Sequence, residues 1–258
     1  MNENCKLILG DCLEKMKEIP DNSVDLVLTD PPYGITSCEW DTKIPLKLLW
    51  KEFNRVIKEK SAIIMTASQP FSSIVIMSNL KSYKYCWVWI KTKASGHLDA
   101  KNKPMKKHEE VLVFCNNGFP NYYPQGLVDG TFKTGRNKHI TNKVYKQYEN
   151  HIVSHKANYP KTTLFFSNPS GKGHLHPTQK PVELMEYLVK TYSKERQTIL
   201  DPFMGSGTTG VASLKLQRKF IGIEINEEYF EIAKKRIGEW ENQSRLALAK
   251  KEAVKKQK

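Results

Sequence analysis

The sequence has few cysteines and no pattern that would pair them. Its five cysteines are an odd number, and no two form a Cys-x-x-Cys motif, which argues against a disulfide framework and against a zinc site. His174 and His176 have a spacing that could bind a metal, but no carboxylate or cysteine lies close by in sequence to complete the ligands. We therefore expect neither disulfides nor a metal.

Long apolar runs and an export signal are also absent. No segment approaches the 18 apolar residues that a membrane helix needs. The first ten residues lack the apolar core and the cleavage site of a signal peptide. These absences predict a cytoplasmic protein with no membrane partner.

Acidic residues are scarce relative to basic ones. The chain has 27 Asp and Glu against 41 Lys and Arg, which gives a formal net charge of +14. The excess lies in three segments, 91–107, 116–161 and 245–258, each with a net charge of +5. This distribution favours a polyanionic partner such as nucleic acid, but a lysine-rich solvated surface would give the same numbers.

An alternation of strand and helix patterns runs through the chain, whose 258 residues are enough for one domain. Strand patterns lie at 6–9, 24–29, 61–67, 85–90, 109–115, 198–200 and 219–223. Helical spacing of apolar residues lies at 12–19, 44–60, 70–80, 181–192, 208–216 and 227–240. The alternation predicts an α/β fold with a mainly parallel sheet and ligands at the carboxyl ends of its strands.

Residues 116–173 interrupt this alternation. The segment shows little periodicity, yet it interleaves nine aromatic residues with basic ones, a composition that suits contact with phosphates and unstacked bases. A poorly ordered insertion is the alternative. The basic tail, 245–258, is expected to be frayed.

A glycine turn follows the strand that ends at Asp201. The turn contains Gly205 and Gly207 and runs into a helix, so backbone N–H groups can approach a carboxylate or phosphate. Glu224 ends the next strand, 19 residues after Gly205, which is the spacing at which an acid meets a ribose diol. A nucleoside that carries a carboxylate, such as S-adenosylmethionine, fits this pattern. The alternative is a simple strand–turn–helix with surface acids.

A second strand ends directly before a rigid tetrapeptide, Asp30-Pro31-Pro32-Tyr33. The amino group of an aromatic base is a poor nucleophile, because its lone pair is delocalised into the ring. A carboxylate and a fixed carbonyl, here those of Asp30 and Pro31, can accept its N–H bonds and favour attack. Tyr33 can stack on a base rotated out of a duplex. A plain rigid turn is the alternative, and Gly10-Asp11 is either a helix N-cap or a ligand.

Taken together, these motifs resemble those of the DNA amino-methyltransferases, which modify adenine N6 or cytosine N4. The tetrapeptide precedes the insertion and the glycine turn comes last, an order similar to that of their circularly permuted beta group. The run from His176 to Pro181 and the pair His108-Glu109 also resemble elements of that group. The resemblance implies a Rossmann-like methyltransferase fold in one catalytic domain, 1–258, with an antiparallel strand near one edge and 116–173 as the target-recognition region.

The resemblance also implies roles for individual residues. The catalytic residues would be Asp30, Pro31, Pro32 and Tyr33. The S-adenosylmethionine site would consist of Asp11, Cys12, Thr178, Gln179, Lys180, Pro181, Asp201, Phe203, Gly205, Ser206, Gly207, Thr208 and Glu224. DNA would be the substrate, a homodimer the assembly, and a restriction endonuclease the cognate partner.

Alternatives remain for the reaction. Cytosine C5 methylation needs a catalytic cysteine, usually in a Pro-Cys pair, and the sequence contains no such pair. Enzymes that act on cytosine N4 usually have Ser in place of Asp30, so the Asp favours adenine. Methyltransferases of ribosomal RNA or of release-factor glutamine place the cofactor loop before the tetrapeptide, the reverse of the order here. A non-catalytic DNA-binding module that keeps the fold is the alternative from another class.

Overall fold

A computed structural model of the chain describes residues 3–33, 44–133, 153–168 and 179–256. The chain divides into two compact units, one of residues 1–123 and 162–258 and one of residues 124–161. The strands are β1 (Cys5–Leu9), β2 (Val24–Thr29), β3 (Ile57–Ala67), β4 (Tyr83–Ser95), β5 (Lys106–Phe114), β6 (Val128–Lys133), β7 (Val153–Ala157), β8 (Thr163–Phe165), β9 (Thr198–Asp201) and β10 (Lys219–Glu224). The helices are α1 (Cys12–Lys15), α2 (Leu46–Val56), α3 (Phe71–Ser78), α4 (Val182–Tyr192), α5 (Thr208–Lys215) and α6 (Glu227–Lys256).

The larger unit is built on an eight-stranded sheet in the order β1-β10-β9-β2-β3-β5-β4-β8. All neighbouring strands pair in parallel except β5, which is antiparallel to both β3 and β4. This is the Rossmann-like methyltransferase sheet that the family resemblance implied, with an antiparallel strand near one edge, and the fold prediction is confirmed.

The central strands have no solvent-facing side, because helices cover both faces of the sheet. All six residues of β2 are buried. Alternate side chains pack in opposite directions: Leu26 and Leu28 join α4, α5 and α6, whereas Val27 packs with α2 and α3. Burial on both faces explains why Leu26, Val27 and Leu28 form an apolar run rather than an alternating pattern.

Helix α2 ends four residues earlier than its apolar spacing predicted. The sequence predicted a helix to Lys60, but residues 57–60 begin β3, and Ile57 pairs with Val24 of β2. The carbonyls of Arg55 and Val56 accept backbone hydrogen bonds from Asn22 and Ser23 at 3.0 and 2.9 Å. These bonds to another segment satisfy the helix end, so tertiary pairing overrides the local helical pattern.

Three strands lie within the segment 116–173, where the sequence predicted no regular structure. β6 and β7 pair antiparallel in the smaller unit, and β8 joins the edge of the main sheet beside β4. Each strand has at most six residues, which is too few for an alternation of apolar and polar residues to be recognised in the sequence.

The last helix is also longer than predicted. Its backbone remains helical to Lys256, whereas the sequence predicted an end at Trp240 and a frayed tail from 245. Residues 239–256 contain no Gly or Pro and are rich in Ala, Leu, Lys and Glu, which favour helix. Within the ranges that the structure describes, no helix combines the length and hydropathy needed to cross a bilayer.

Helix α5 approaches the sheet closely at Gly210, which yields a stability prediction. A Cβ there would lie 2.7 Å from Ile237 Cδ1 and 2.7 Å from Phe220 Cε1, whereas a Cβ at Gly238 in α6 meets nothing within 4 Å. Gly210→Ala should therefore lower the free energy of unfolding by about 1–3 kcal/mol, through overpacking. Gly238→Ala, the matched control, should raise it by up to about 1 kcal/mol through helix propensity.

Urea denaturation of the two variants and the parent measures both changes. Equal free energies of unfolding for the two variants would contradict the packing described for α5.

Candidate active site at the carboxyl edge of the sheet

Four neighbouring parallel strands bring most of the predicted site residues to one edge of the sheet. β2 ends directly before Asp30, β9 ends at Asp201, β10 ends at Glu224, and β1 ends directly before Gly10 and Asp11. Because these strands are parallel, their carboxyl ends lie at the same edge. The site therefore gathers residues that are up to 213 positions apart in sequence, from Asp11 to Glu224.

Asp201 links the tetrapeptide strand to the glycine turn. Its Oδ1 accepts a hydrogen bond from Thr29 Oγ1 at 2.7 Å and another from the backbone N–H of Phe203 at 3.1 Å. The side chain is buried, and burial raises its pKa to about 7. Burial thus favours the neutral form of the Asp201 carboxyl.

Glu224 holds the glycine turn from the adjacent strand. Its Oε2 accepts from the N–H of Gly205 at 2.9 Å, and its Oε1 accepts from the N–H of Asn226 at 2.9 Å. Gly205 and Gly207 both have positive φ, which glycine adopts at little cost. A Cβ on Gly205 would meet nothing within 4 Å, so the turn presents open backbone. Burial raises the pKa of Glu224.

Arg236 is a neighbour of the turn that no motif marked. Its guanidinium nitrogen NH1 donates to the carbonyl and hydroxyl oxygens of Ser206 at 3.1 and 3.3 Å, and to Thr208 Oγ1 at 3.0 Å. Burial lowers the pKa of Arg236. The residue sits on α6, some 30 positions after the turn, so only the tertiary fold brings it there.

Asp11 serves as a helix cap, one of the two alternatives that the sequence left open. Its Oδ1 accepts from the N–H groups of Leu13 at 2.8 Å and Glu14 at 3.2 Å. The N–H of Gly10 donates to the carbonyl of Glu224 at 2.8 Å, which ties this turn to the end of β10. Cys12 is buried, and burial raises the pKa of its thiol to about 12.

Asp30 is surrounded by hydrogen-bond donors. Its Oδ1 accepts from the hydroxyl of Tyr33 at 2.9 Å and from the hydroxyl of Thr66, and its Oδ2 accepts from Lys180 Nζ at 2.5 Å. The Tyr33 ring stacks on Phe71, with ring centroids 5.0 Å apart. Burial and the neighbouring Asp30 raise the pKa of Tyr33, so its hydroxyl keeps its proton.

Lys180 stands at the tetrapeptide, although sequence reasoning assigned it only to the cofactor border. Besides Asp30, its ammonium meets Glu109 Oε2 at 3.4 Å, and Glu109 Oε1 accepts from Lys91 Nζ at 3.2 Å. Burial acts to lower the pKa of Lys180, but the Asp30 and Glu109 carboxylates outweigh it and raise that pKa. The pKa of Glu109 is lowered, because the two lysines outweigh the opposing effect of burial.

The remaining predicted residues are distributed around these groups. Pro181 is the N-cap residue of α4, directly after Lys180, and Ser206 and Thr208 are buried in the glycine turn. Thr178, His174 and His176 lie outside the described residues. Within the part of the chain that the structure describes, no three His, Cys, Asp or Glu side chains gather to hold a metal ion.

The raised pKa of Asp201 generates a pH prediction. The folded chain binds this proton more tightly than the unfolded chain, whose Asp has an ordinary pKa of 3.8. The resulting stabilisation is present in full below about pH 4 and is lost as the pH rises through about 7. Asp201→Asn lacks this pH dependence. From pH 5 to pH 8 the parent should lose on the order of 2 kcal/mol of unfolding free energy relative to the variant.

Urea titrations at the two pH values give this difference. A gap between parent and variant that stays constant with pH would show that Asp201 is ionised in the folded protein throughout this range.

Comparisons with known proteins agree with this geometry. A family model described as DNA methylase, for N6 and N4 methyltransferases, matches residues 24–235. The DNA adenine methyltransferase YhdJ of Escherichia coli (strain K12) is 31% identical, over 100% of this chain and 90% of the relative. The structure of the M1.HpyAVI–SAM complex is similar with a TM-score of 0.63 and 25% identity, over 90% of this chain and 98% of the other.

The PvuII DNA methyltransferase, titled cytosine-N4-specific, has a TM-score of 0.67 at 17% identity and covers 94% of this chain and 93% of its own. At that identity the likeness concerns the fold alone. The family match spans most of the sequence and contains both the tetrapeptide and the glycine turn. The chain therefore belongs to the N6/N4 family of DNA methylases.

Proposed function

We propose that this chain transfers a methyl group from S-adenosylmethionine to the N6 amino group of adenine in DNA. The observation that carries the proposal is the position of Asp30. Its carboxylate lies directly after β2. The neighbouring strand β9 leads into the glycine turn, and the hydrogen bond from Thr29 to Asp201 joins the ends of these two strands. An acceptor for an amino group and a candidate cofactor loop thus share one sheet edge.

The glycine turn fits a nucleoside cofactor with a carboxylate. It combines open backbone at Gly205, a helix N-terminus at α5 and a buried acid, Glu224, on the neighbouring strand. We assign the cofactor to Asp201, Phe203, Gly205, Ser206, Gly207, Thr208 and Glu224, bordered by Asp11, Cys12, Thr178, Gln179, Lys180 and Pro181. When bound, S-adenosylmethionine supplies a methyl group on a positively charged sulfur, and the carbon of that methyl group is the atom that the amino nitrogen attacks.

Asp30 and Pro31 act on the amino group. The carboxylate of Asp30 and the carbonyl of Pro31 accept its two N–H bonds, which directs the nitrogen lone pair out of the ring plane. Pro32 stiffens the loop, so these acceptors are held in place before the base arrives. As the N–C bond would form, the bond from the methyl carbon to the cofactor sulfur would break and leave S-adenosylhomocysteine, and one N–H proton would pass to Asp30 and then to water.

Tyr33 occupies one acceptor position of Asp30 before substrate arrives. Its hydroxyl donates to Oδ1, and its ring already stacks on Phe71. We propose that the base amino group replaces this hydroxyl on Asp30 and that the flipped base stacks on the Tyr33 ring. The exchange keeps the partly buried Asp30 carboxylate hydrogen-bonded both before and after binding.

Adenine is favoured over cytosine by Asp at the first position of the tetrapeptide. YhdJ, which is named for adenine, matches over the whole chain. The likeness to the PvuII enzyme means that the fold is compatible with cytosine N4 as well, so the choice of base rests on residues of the site.

Further parts of the proposal concern the rest of the molecule. Segment 116–173, which contains the compact unit 124–161, is proposed as the target-recognition region, because it is basic and aromatic. Residues 1–258 are proposed as one catalytic domain with this insertion. A homodimer, a cognate restriction endonuclease and a cytoplasmic location are proposed on the family resemblance.

Substitutions at Asp30 and Glu224 should separate chemistry from cofactor binding. Asp30→Asn should lower turnover by at least about 100-fold, because the base loses its charged acceptor. Its dissociation constant for S-adenosylmethionine should stay within about 3-fold of the parent value. Glu224→Gln should weaken cofactor binding by about 10- to 100-fold, because a charged hydrogen-bond acceptor is lost.

Calorimetry of cofactor binding and turnover on plasmid DNA measure the two effects. Equal losses of cofactor affinity in the two variants would contradict this division of roles.

The methylated base can be identified directly. DNA incubated with methyl-tritiated S-adenosylmethionine and the protein, then digested to nucleosides, should carry its label in N6-methyl-2′-deoxyadenosine. Asp30→Asn on the same DNA is the control and should give at most about a hundredth of that label. Label in N4-methyl-2′-deoxycytidine would overturn the assignment of adenine, and no label at all would support a non-catalytic DNA-binding module.

A further inference from the structure

A row of charged side chains of alternating sign begins at Asp30 and extends away from the predicted cofactor loop. Lys180 follows Asp30, Glu109 follows Lys180, and Lys91 follows Glu109, with distances of 2.5, 3.4 and 3.2 Å between successive charged atoms. Lys91 lies on β4 and Glu109 on β5, where Glu109 pairs with Trp89 in the register of the two strands. Four segments of the chain thus contribute one charge each.

These groups are withdrawn from water. The Lys180 and Lys91 side chains are 8% and 7% exposed, and that of Glu109 is 18% exposed. An unpaired charge in such a place is strongly disfavoured, but the signs alternate and the row is neutral as a whole. Lys91 also donates to Ser95 Oγ at 3.3 Å, which fixes the far end of the row.

We infer that Glu109 and Lys91 are positioning residues for methyl transfer, which act on Asp30 through Lys180. An ammonium paired with Asp30 alone would compete with the base for that carboxylate. Glu109 Oε2 lies 3.4 Å from the same ammonium and balances part of its charge. Asp30 is therefore held in orientation by Lys180 while it remains available to the amino group.

Glu109 has a second consequence once the amino group has given up its proton. If that proton rests on Asp30, the neutral carboxyl no longer balances the charge of Lys180. Glu109 then remains as a buried counter-ion, so Lys180 stays charged and in place. Lys91 does the same for Glu109, by holding its other oxygen. The row thus allows Asp30 to change its charge without a rearrangement of its neighbours.

This inference rests on the proposed role of Asp30, and Glu109→Gln tests it. Glu110→Gln is the matched control, since it removes the next carboxylate along β5, which contacts Gln69 rather than Lys180. Glu109→Gln should slow single-turnover methyl transfer by about 10- to 100-fold, the scale of a displaced catalytic group. The dissociation constants for S-adenosylmethionine and for DNA should stay within about 2-fold of the parent values. Glu110→Gln should react at the parent rate.

Two further variants separate positioning from folding. Lys91→Met with Glu109→Gln removes one charge of each sign, so it leaves no unbalanced buried charge, and it should be as slow as Glu109→Gln alone. Adding Glu109→Gln to Lys180→Met should cause no further loss of rate, because Glu109 acts through Lys180. Thermal unfolding of each variant checks that the protein is folded at the temperature at which the reaction rates are compared.

The inference is overturned by any of three results. Glu109→Gln could react as fast as Glu110→Gln, its effect could multiply with that of Lys180→Met, or its loss of rate could be matched by a loss of cofactor affinity. Failure of the proposed function is distinguishable, because the parent protein would then leave adenine N6 unmethylated, or Asp30→Asn would methylate it as fast as the parent, whatever the Glu109 variants do.

Discussion

A buried hydrogen bond from Thr29 to Asp201 joins the two strand ends on which the site is built. Thr29 is the last residue of β2 and directly precedes Asp30, while Asp201 ends β9 and directly precedes the glycine turn. The two strands are neighbours in the sheet, so the bond sets the spacing between the tetrapeptide and the glycine turn. The order of these two segments in sequence does not affect this contact.

The carboxyl groups around this bond are held in different ways. Asp201 and Glu224 are bound by hydroxyl and backbone N–H donors, without a cation within the hydrogen bonds described, and burial raises the pKa of each. Glu109 lies between two lysines, which lower its pKa. Asp30 combines a lysine with two hydroxyl donors. Asp30, the acid that we propose meets the base, is thus the one whose partners include both an ammonium and exchangeable hydroxyls.

Much of this arrangement follows from the sequence, because the motifs stand at strand ends and parallel strands carry their ends to one edge. Asp30, Asp201, Gly205 and Glu224 could be placed together for that reason. Glu109 was marked only as part of a recurring pattern and Lys91 only as part of a basic segment, whereas Thr66 and Arg236 were not marked at all. Each contacts a partner on another segment, from 18 positions away for Lys91 and Glu109 to 71 for Glu109 and Lys180, and no local period records such pairs.

The fold shows the same division. The long periodic elements were predictable, because their side chains alternate or recur over many residues, and the family resemblance implied the antiparallel strand near one edge. The end of α2 and the short strands β6, β7 and β8 were not, because pairing with distant segments decides them. In each case, the element that was not predicted depends on a contact with a distant segment, and no local sequence motif marks it.

The central claim is that Asp30 presents the amino nitrogen of adenine for methylation, and isotope labelling tests it at the bond that forms. DNA containing adenine labelled with ¹⁵N at N6 is incubated with S-adenosylmethionine carrying a ¹³C-methyl group, and the product is observed by NMR. The account predicts that the transferred carbon shows one-bond coupling to ¹⁵N with the parent protein and that no signal appears with Asp30→Asn. A transferred ¹³C-methyl without coupling to that nitrogen, or one formed equally by the variant, would contradict it.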